Sequence, residues 1–510
     1  MVGAAAAGET ANNDAAAAAL INTKCGGCHE PGPDGGLARI SAVRKSPEGW
    51  NLTLRRMQQW HHVVLSDAEQ AALVKHFADT QGLAPEETAP FRAVLERRPG
   101  NVEHADDPEV ATYCARCHSY ARVGLQRRNA AEWLKLVHTH VGQFPTLEYQ
   151  ASSRDREWWH IATTELPDRL GRKWPLVTAS WTAWQGHASP DLAGSWRVVG
   201  HRPGKGDYNG TLVVDRTDVD RYTVHHRLVM ADGSALDGDG DSIVYTGYEW
   251  RGAATLGGLP VREVFEVSAD GSQLRGRWFA SDAVTGGDLT AVRGGPAILA
   301  VQPPYLKTGQ TARLTIVGSG LSGEVDLGPG VQVQTIEQTS AESVTVLAVA
   351  GATAATGGHD VAVGAARLAG GLVVYDKVGS VRVEPGYDVA RVGDNGGPIA
   401  LVPAQFEAVA YLNGPEGKQG EVRIGVLPAS WSIAGYDADS KQAEDAKFGG
   451  QIDQNGLFTP GGAGPNPARG GANNAANLSV TAVVTDGAVP LQGSAHLIVT
   501  LQRWNDAPVR

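Results

Sequence analysis

Hydrophobic residues recur at two different spacings along this chain. Up to about residue 185 they follow the three-to-four-residue spacing of amphipathic helices, as in SPEGWNLTLRRMQQW and RNAAEWLKLVHTHVG. Beyond that point they alternate with polar residues in short runs such as GTLVVDRT and YTVHHRLVM, and turn pairs such as Asp232-Gly233 separate the runs. The pattern predicts a multidomain chain in which an all-α domain is followed by all-β domains.

The same patterns divide the chain into four predicted domains. The helical part is interpreted as two similar units, at about 1–85 and 86–170. Hairpin signals in the next part predict an antiparallel β-barrel, and the last two parts are interpreted as immunoglobulin-like β-sandwiches. In chain order, the predicted domains are 1–185, 186–296, 297–378 and 379–510.

Composition narrows the possible partners. The 510 residues are 42% hydrophobic, which is enough for several cores, and the formal net charge is −11. This acidic balance argues against nucleic acid and leaves basic proteins as docking partners. No apolar stretch approaches the roughly 20 residues of a membrane span, so no span is predicted.

All four cysteines belong to two CxxCH motifs, KCGGCH and YCARCH. In this pattern two thioether bonds attach a haem c to the cysteines, and the adjacent histidine binds the iron. A zinc site would need a second pair of ligands at matching spacing, and a redox CxxC does not need the histidine. Two covalently bound haem c groups are therefore predicted. Their residues are Cys25, Cys28 and His29 for the first and Cys114, Cys117 and His118 for the second.

One methionine is suitably placed to be the sixth iron ligand of the first haem. Met1 precedes the motif and Met230 lies in a stretch with the β pattern, which leaves Met57. His61 and His62 follow closely and are alternatives, although adjacent histidines are more often solvated.

The second motif has no methionine available, and a repeated spacing points to a histidine instead. In both units a helix cap stands four residues before a tryptophan, and the tryptophan stands seven residues before a candidate ligand. The cap, tryptophan and ligand are Ser46, Trp50 and Met57 in the first unit and Asn129, Trp133 and His140 in the second. We therefore predict iron ligation by His118 and His140, with His138 and His160 as alternatives to His140.

The order of motif, methionine and capped final helix resembles class I cytochromes c. In those proteins a proline carbonyl accepts the ring N–H of the iron-binding histidine. By this resemblance Pro31 or Pro33 would serve His29, whereas no proline closely follows His118.

The two predicted ligand sets differ in a way that bears on function. A thioether ligand favours ferrous iron, so a His/Met haem has a higher reduction potential than a bis-His haem. The hypothesis is that electrons enter at the His118/His140 haem and leave from the His29/Met57 haem.

The whole chain resembles the α subunit of quinohaemoprotein amine dehydrogenase. The resemblance rests on KCGGCH and YCARCH, on the two tryptophan-to-ligand spacings and on the order of the domains. It implies a periplasmic αβγ heterotrimer that oxidises primary amines to aldehydes and releases ammonia. The β subunit would be a propeller, and the small γ subunit would carry cysteine tryptophylquinone.

In such an enzyme this chain would have no catalytic residue for the amine. It would take electrons from the reduced quinone and pass them to a soluble cytochrome c or cupredoxin. The quinone crosslink cannot be in this chain, because every cysteine is used by a haem motif.

Three other functions stay open at the level of sequence. A free-standing dihaem electron carrier would share every haem residue and would lack the partner chains. A dihaem peroxidase-like enzyme needs an iron with an open distal position, and the placement of His140 argues against it. Two intact haem units argue against an adhesion module that carries its haems as passengers.

Overall fold

The computed structural model of the chain describes residues 15–32, 35–144, 147–153, 156–185, 187, 189–394, 399–412 and 421–501. Helix accounts for 24% and strand for 41% of the structure. The helices lie mostly before residue 185, and every strand but two lies after residue 193.

The first helical unit packs around a small apolar core. Its helices are α1 (15–25), α2 (Pro47–His61) and α3 (Asp67–Thr80). Helix α2 begins where the Ser46 side chain accepts a backbone N–H from the first turn, which confirms the predicted cap. Trp50 stacks on Phe77 of α3 with ring centroids 4.6 Å apart. This contact fixes α2, and with it the position of Met57.

The second helical unit uses the same local signals. Asn129 accepts the backbone N–H of Glu132 at 2.9 Å and so caps the helix that carries His140. Trp133 of that helix is buried among Trp158 and other apolar side chains. The helices after the first unit are α4 (Pro85–Thr88), α5 (Arg92–Leu95), α6 (Pro108–Cys114), α7 (Ala121–Gly124), α8 (Ala130–Gln143), α9 (Glu148–Ala151), α10 (Trp158–Thr164), α11 (Leu166–Lys173) and α12 (Ala179–Trp184). Within the described ranges, no helix combines the length and the apolarity that crossing a bilayer would require.

The prediction of an all-α domain followed by all-β domains was wrong at both ends of the chain. In the helical region, strand β1 (Val43–Lys45) pairs antiparallel with β2 (Gln126–Arg128), and Arg44 lies opposite Arg127. In the last domain, two short helices interrupt the strands. The β1–β2 pair leads directly into the caps of α2 and α8, so the sheet joins the starts of these two helices.

A closed barrel of eight antiparallel strands follows the helical region. Closure occurs because the last strand pairs with the first as well as with its own predecessor. Trp196, Trp250 and Trp278 fill the interior and are fully buried. The strands are β3 (Gly194–Arg202), β4 (Gly206–Asp218), β5 (Arg221–Met230), β6 (Gly238–Tyr245), β7 (Glu249–Leu256), β8 (Leu259–Val267), β9 (Gln273–Phe279) and β10 (Gly286–Val292).

The next domain is a pair of four-stranded sheets around one apolar core. Leu314, Val346 and Leu372 lie in that core, which receives side chains from both sheets. One sheet has the order β11-β13-β16-β15 and the other β12-β18-β17-β14. The strands are β11 (Ala297–Gln302), β12 (Tyr305–Lys307), β13 (Thr311–Ser319), β14 (Val325–Asp326), β15 (Val331–Thr339), β16 (Ser343–Ala350), β17 (Gly357–Val363) and β18 (Ala366–Tyr375).

The last domain has three sheets, in the orders β19-β22-β23, β20-β28-β27-β24 and β21-β26-β25. Phe406 and Phe458 are fully buried in its core. The elements are β19 (Ser380–Glu384), β20 (Tyr387–Arg391), β21 (Ala404–Gln405), β22 (Glu407–Tyr411), β23 (Arg423–Val426), β24 (Ser430–Gly435), α13 (Ala438–Gln442), α14 (Asp445–Phe448), β25 (Gly450–Ile452), β26 (Leu457–Pro460), β27 (Ala476–Val484) and β28 (Leu491–Thr500).

Candidate haem-binding site

The first CxxCH motif forms a tight turn at the end of α1. The backbone N–H groups of Cys28 and His29 both donate to the carbonyl of Cys25, at 3.1 and 2.9 Å. The His29 ring hydrogen-bonds through Nδ1 to the Ala38 carbonyl at 2.9 Å. Because a carbonyl can only accept, Nδ1 carries the proton and Nε2 presents its lone pair. His29 is therefore set up to bind a metal through Nε2.

The acceptor for His29 differs from the one that the cytochrome resemblance implied. Pro31 forms a β-bridge with Leu37, and this bridge brings Ala38 rather than a proline next to the histidine. Pro33, the other candidate, lies outside the described residues.

The second motif repeats the arrangement at the end of α6. Cys114 is the last residue of that helix, and the Nδ1 of His118 donates to the Ser119 carbonyl at 2.9 Å. Burial lowers the pKa of His118, and the positive charges of Arg122 and Arg56 lower it further. The imidazole is thus held neutral, which is the form that binds iron.

The four thiols do not have the character of a dithiol redox site. None of the four cysteines forms a disulfide. Burial raises the pKa of the Cys25 thiol, and burial together with Asp107 raises the pKa of Cys114 to about 12. Redox-active and metal-binding thiols need a lowered pKa, because the thiolate is the reactive form. In the part of the chain that the structure describes, no group of three His, Cys, Asp or Glu side chains could hold a metal ion by itself.

Met57 lies in the middle of α2 and is half-buried. It is seven residues after Trp50, whose side chain is 2% exposed. His61 ends the helix and His62 caps it in the left-handed conformation, and both rings are exposed. The α2 residue that combines partial burial with a metal-binding side chain is Met57.

His140 and His138 point to different surroundings on α8. His140 is close enough to His118 for the two charges to interact, and its Nδ1 donates to the Leu136 carbonyl at 2.8 Å. Burial lowers the pKa of His140 despite the opposing effect of the Leu136 hydrogen bond, and the charge of His118 lowers it further, so the ring is held neutral with Nε2 unprotonated. The exposed His138 ring instead packs edge-on against Trp159 at 5.1 Å, and His160 on α10 is exposed.

A buried carboxylate ties the two units together behind these helices. Glu87 on α4 binds Arg44 through two hydrogen bonds of 2.9 Å and Arg127 through one of 2.9 Å. Burial alone would raise the pKa of Glu87, but the hydrogen bonds from Arg44 and the charge of Arg127 lower it to about 2. The carboxylate thus stays ionised between the two central arginines of the β1–β2 sheet.

The next residue of each strand is a buried cation that lies over the tryptophan of its own unit. Lys45 Nζ lies 5.4 Å from the ring centroid of Trp50, and Arg128 Cζ lies 5.8 Å from that of Trp133. The Nε of Arg128 and the Nε1 of Trp133 are buried and have no hydrogen-bond partner among the described residues. Buried polar atoms are normally hydrogen-bonded, so these two donors are available to bind a polar group of a ligand.

Sequence reasoning missed the arginines and lysine of these strands. A signal was present, because VRKS and QRRN precede the two helices at matching positions: Arg44 corresponds to Arg127 and Lys45 to Arg128. Three-residue strands are too short to show the β alternation, so the repeat of basic residues was the available indication.

These residues fit two haem c groups. Free cysteine pairs end α1 and α6, and each is followed by a histidine with its Nε2 lone pair available. In the second unit, the unpaired buried donors of Arg128 and Trp133 lie nearby. The fold and the site together define a haem-binding helical region joined to a barrel and further β domains.

Four family models cover nearly the whole chain. They match "Quinohemoprotein amine dehydrogenase A, alpha subunit, haem binding" at residues 15–181, domain II of that subunit at 189–294, domain III at 295–376 and domain IV at 381–509. The chain belongs to the family of quinohemoprotein amine dehydrogenase alpha subunits. It is therefore a subunit of an oxidoreductase that works with partner subunits, and it has a haem-binding domain.

Comparison with individual proteins adds little to the family assignment. No curated protein matches the sequence. A de novo designed fluorescence-activating beta barrel is 18% identical, with 21% of this chain and 98% of that chain covered and a TM-score of 0.18. The mouse clustered PcdhgC3 EC1-3 structure is 12% identical, with 47% and 86% covered and a TM-score of 0.17.

Proposed function

We propose that the chain carries two covalently bound haem c groups. Cys25 and Cys28 would form the thioether bonds of the first, with His29 and Met57 on its iron. The free thiols and the fixed His29 ring support this assignment. Bound in this way, a haem supplies one-electron redox chemistry.

For the second haem, Cys114 and Cys117 would form the thioether bonds, with His118 and His140 on the iron. The proposal rests mainly on the placement of these two histidines. They lie within electrostatic reach of each other, and each donates from Nδ1 to a carbonyl and so leaves Nε2 available.

The chain would act as the electron-transfer subunit of a periplasmic αβγ amine dehydrogenase. Primary amines would be oxidised to aldehydes on a cysteine tryptophylquinone in the γ subunit, next to a β propeller. Since all four cysteines belong to CxxCH motifs, the chain has no residue for that crosslink. Its task would be to accept electrons from the quinone and deliver them to a soluble cytochrome c or cupredoxin.

The two ligand sets would give this transfer a direction. The Met57 thioether favours the reduced iron, whereas two imidazoles favour the oxidised one. Electrons would therefore enter beside His118 and His140 and leave beside His29 and Met57.

The test is to isolate the protein without denaturant, together with every chain that co-purifies. A primary amine is then added in the absence of oxygen, and the haem absorption is followed. Reduction of the haems by the amine, in a preparation that contains a small quinone-staining chain, is the expected result.

Two controls make a negative result with the primary amine interpretable. Dithionite must reduce the same haems, and a tertiary amine, which lacks the N–H groups that the reaction removes, must not. A lone chain that dithionite reduces and a primary amine does not would refute the proposal and favour a free-standing electron carrier.

A further inference from the structure

Lys45 and Arg128 are buried cations without a direct ion pair to a carboxylate among the described residues; the nearest acidic charge on Arg128 is that of Glu132. Both residues are about 5% exposed. The one hydrogen bond of Lys45 Nζ to a described residue goes to the neutral Thr53 hydroxyl at 2.6 Å. Arg128 donates to the neutral Gln126 side chain at 3.3 Å, and its Nε has no partner within the described ranges. Unpaired buried charge is strongly unfavourable, so the excess of positive charge here favours a bound anion.

Further cations surround the pair and deepen the imbalance. Burial lowers the pKa of Lys45 well below its ordinary value, and the charges of Arg128, Arg56 and Arg122 lower it further. We call Lys45, Arg56, Arg122 and Arg128 the cation cluster.

Two carboxylates, those of Glu132 and Glu103, lie near the cation cluster. Glu132 binds Lys135 at 2.5 Å and lies 3.6 Å from Arg39, which adds a further positive charge to this region. The charge of Glu132 also acts on Arg128, and its Oε2 is buried without a hydrogen bond to a described residue. Glu103 accepts the backbone N–H groups of Tyr120 and Ala121 at 2.8 and 2.7 Å. These two acids cannot balance the four members of the cluster and Arg39 as well.

The indole N–H groups of the two tryptophans indicate which of the two helical units would bind this anion. Trp50 donates its Nε1–H to the Gln81 carbonyl at 3.1 Å. Trp133, which is 2% exposed, has no partner for its Nε1–H in the described structure. The orphaned donors of Trp133 and Arg128 therefore lie together on the side of the second unit, since Arg128 stacks over Trp133.

The same side adjoins the second iron site. Trp133 belongs to the apolar cluster against which Cys114 of the second motif packs, and His140 lies two turns further along the same face of α8. A group bound at His118 would thus extend toward the cation cluster. The anionic substituents of a haem are its two propionate carboxylates.

We propose that the cation cluster and the Trp133 indole N–H bind the propionate groups of the haem at His118. This inference rests on the proposed function, since it requires a haem on the second motif. Arg128 and Trp133 would donate hydrogen bonds to the carboxylates, and Lys45, Arg56 and Arg122 would balance their charge. Arg56 belongs to α2 of the first unit, so one unit would help to hold the haem of the other.

The role has a measurable electrostatic consequence. A cation beside a haem favours the reduced iron, because reduction removes positive charge. Replacement of Arg128 by a neutral side chain must therefore lower the reduction potential of the second haem. We expect at least a tenfold change in the equilibrium constant for its reduction, which is about 59 mV for one electron.

The experiment compares four variants of the whole complex, each titrated spectroelectrochemically. Arg128→Gln removes the charge, Trp133→Phe removes only the N–H, Arg128→Lys keeps the charge, and Arg172→Gln removes an exposed charge on α11 as the matched control. Arg128→Gln and Trp133→Phe should each decrease the reduction potential of the second haem, which is the lower of the two. Both should also shift the propionate bending bands in the resonance Raman spectrum. Arg128→Lys should keep most of the wild-type potential, and Arg172→Gln should change neither readout.

The outcomes separate this inference from the proposed function. A wild-type chain without two haems by mass would overturn the proposed function itself. Two haems whose potentials and Raman bands respond alike to Arg128→Gln and Arg172→Gln would overturn only the propionate site. If Arg128→Gln fails to fold, Trp133→Phe decides, because it preserves the aromatic packing.

Discussion

An imidazole binds iron best when a hydrogen bond at one ring nitrogen fixes the direction of the other. His29, His118 and His140 each donate from Nδ1 to a backbone carbonyl, at 2.9, 2.9 and 2.8 Å. His138, two residues from His140, packs its ring against Trp159 instead. At the scale of single residues, a hydrogen bond from Nδ1 to a backbone carbonyl distinguishes the three candidate ligands from His201 and His225, whose Nδ1 atoms bond to carboxylates.

This distinction predicts different effects for neighbouring substitutions on α8. His140→Ala should remove the sixth ligand of the second haem and convert its low-spin spectrum to a high-spin one. His138→Ala should leave the spectrum unchanged, because that ring packs against Trp159. Electron paramagnetic resonance of the two oxidised variants checks this. A high-spin signal in the His138 variant alone would mean that His138, and not His140, is the sixth ligand.

The second prediction at this scale concerns the thioether of Met57. Met57→His should replace the His/Met haem by a bis-His haem and lower the higher reduction potential by more than about 59 mV, a tenfold change in the equilibrium constant. Met230→Leu, inside the barrel, is the matched control and should leave both potentials unchanged. A potentiometric titration of both variants measures the effect. An unchanged upper potential in Met57→His would rule out Met57 as the ligand.

At the scale of elements, the short β1–β2 pair sets the relation between the two haem units. Its central residues, Arg44 and Arg127, lie opposite each other and share the carboxylate of Glu87. A charge group buried at the centre of the pair is costly to disrupt, because loss of the carboxylate leaves two unpaired guanidinium groups. Glu87 therefore stabilises the arrangement of both units at once.

The effect of Glu87→Gln should depend on pH in a defined direction. The pKa of Glu87 is lowered to about 2 in the folded chain, so its contribution is present above an unfolded pKa of about 4.3 and is lost as pH falls toward 2. The variant should lose about 3 kcal/mol of stability at neutral pH and progressively less in acid. Glu86→Gln, at the exposed neighbouring position, is the control. Denaturant unfolding at several pH values measures the difference, and a loss that does not change with pH would contradict this origin.

Local signals in the sequence located the helices that carry the candidate ligands, but they did not reveal what joins those helices. The caps at Ser46 and Asn129 were predictable, because a cap and its helix lie within a few residues of each other. The pairing of β1 with β2 was not, since it joins two three-residue segments far apart in the chain. The acceptor at Ala38 also depends on a loop closed by Pro31 and Leu37, which no periodicity describes.

At the scale of the whole molecule, polar contacts join the domains that the sequence patterns separate. The helical region meets the barrel where Asp79 accepts the backbone N–H of Thr246 at 2.7 Å. The barrel meets the last domain where His201 on β3 binds Glu407 on β22 at 2.9 Å. The alternation of each strand predicts which residues face its own core, but contacts between domains use surface positions that carry no such pattern.

The His201 contact should hold the barrel and the last domain together most strongly in acid. Burial would lower the pKa of His201, but hydrogen bonds to Asp207 and Glu407 raise it to about 10. Because the folded pKa is raised, the stabilisation is complete below the ordinary pKa of about 6.5 and is lost as pH rises through about 10. His201→Gln should therefore destabilise the interface by about 2 kcal/mol near pH 6 and by little near pH 10.

Hydrogen exchange of the Glu407–Tyr411 strand at several pH values, corrected for the intrinsic exchange rate, measures the His201→Gln effect directly. His225→Gln is the matched control, because His225 on β5 pairs with Asp239 on β6, so that its ion pair stays within the barrel domain. This control should leave the exchange of the strand unchanged. Equal loss of protection at low and high pH would mean that the His201 ring contributes through packing and not through its charge. The contact would then hold the two domains together equally at every pH.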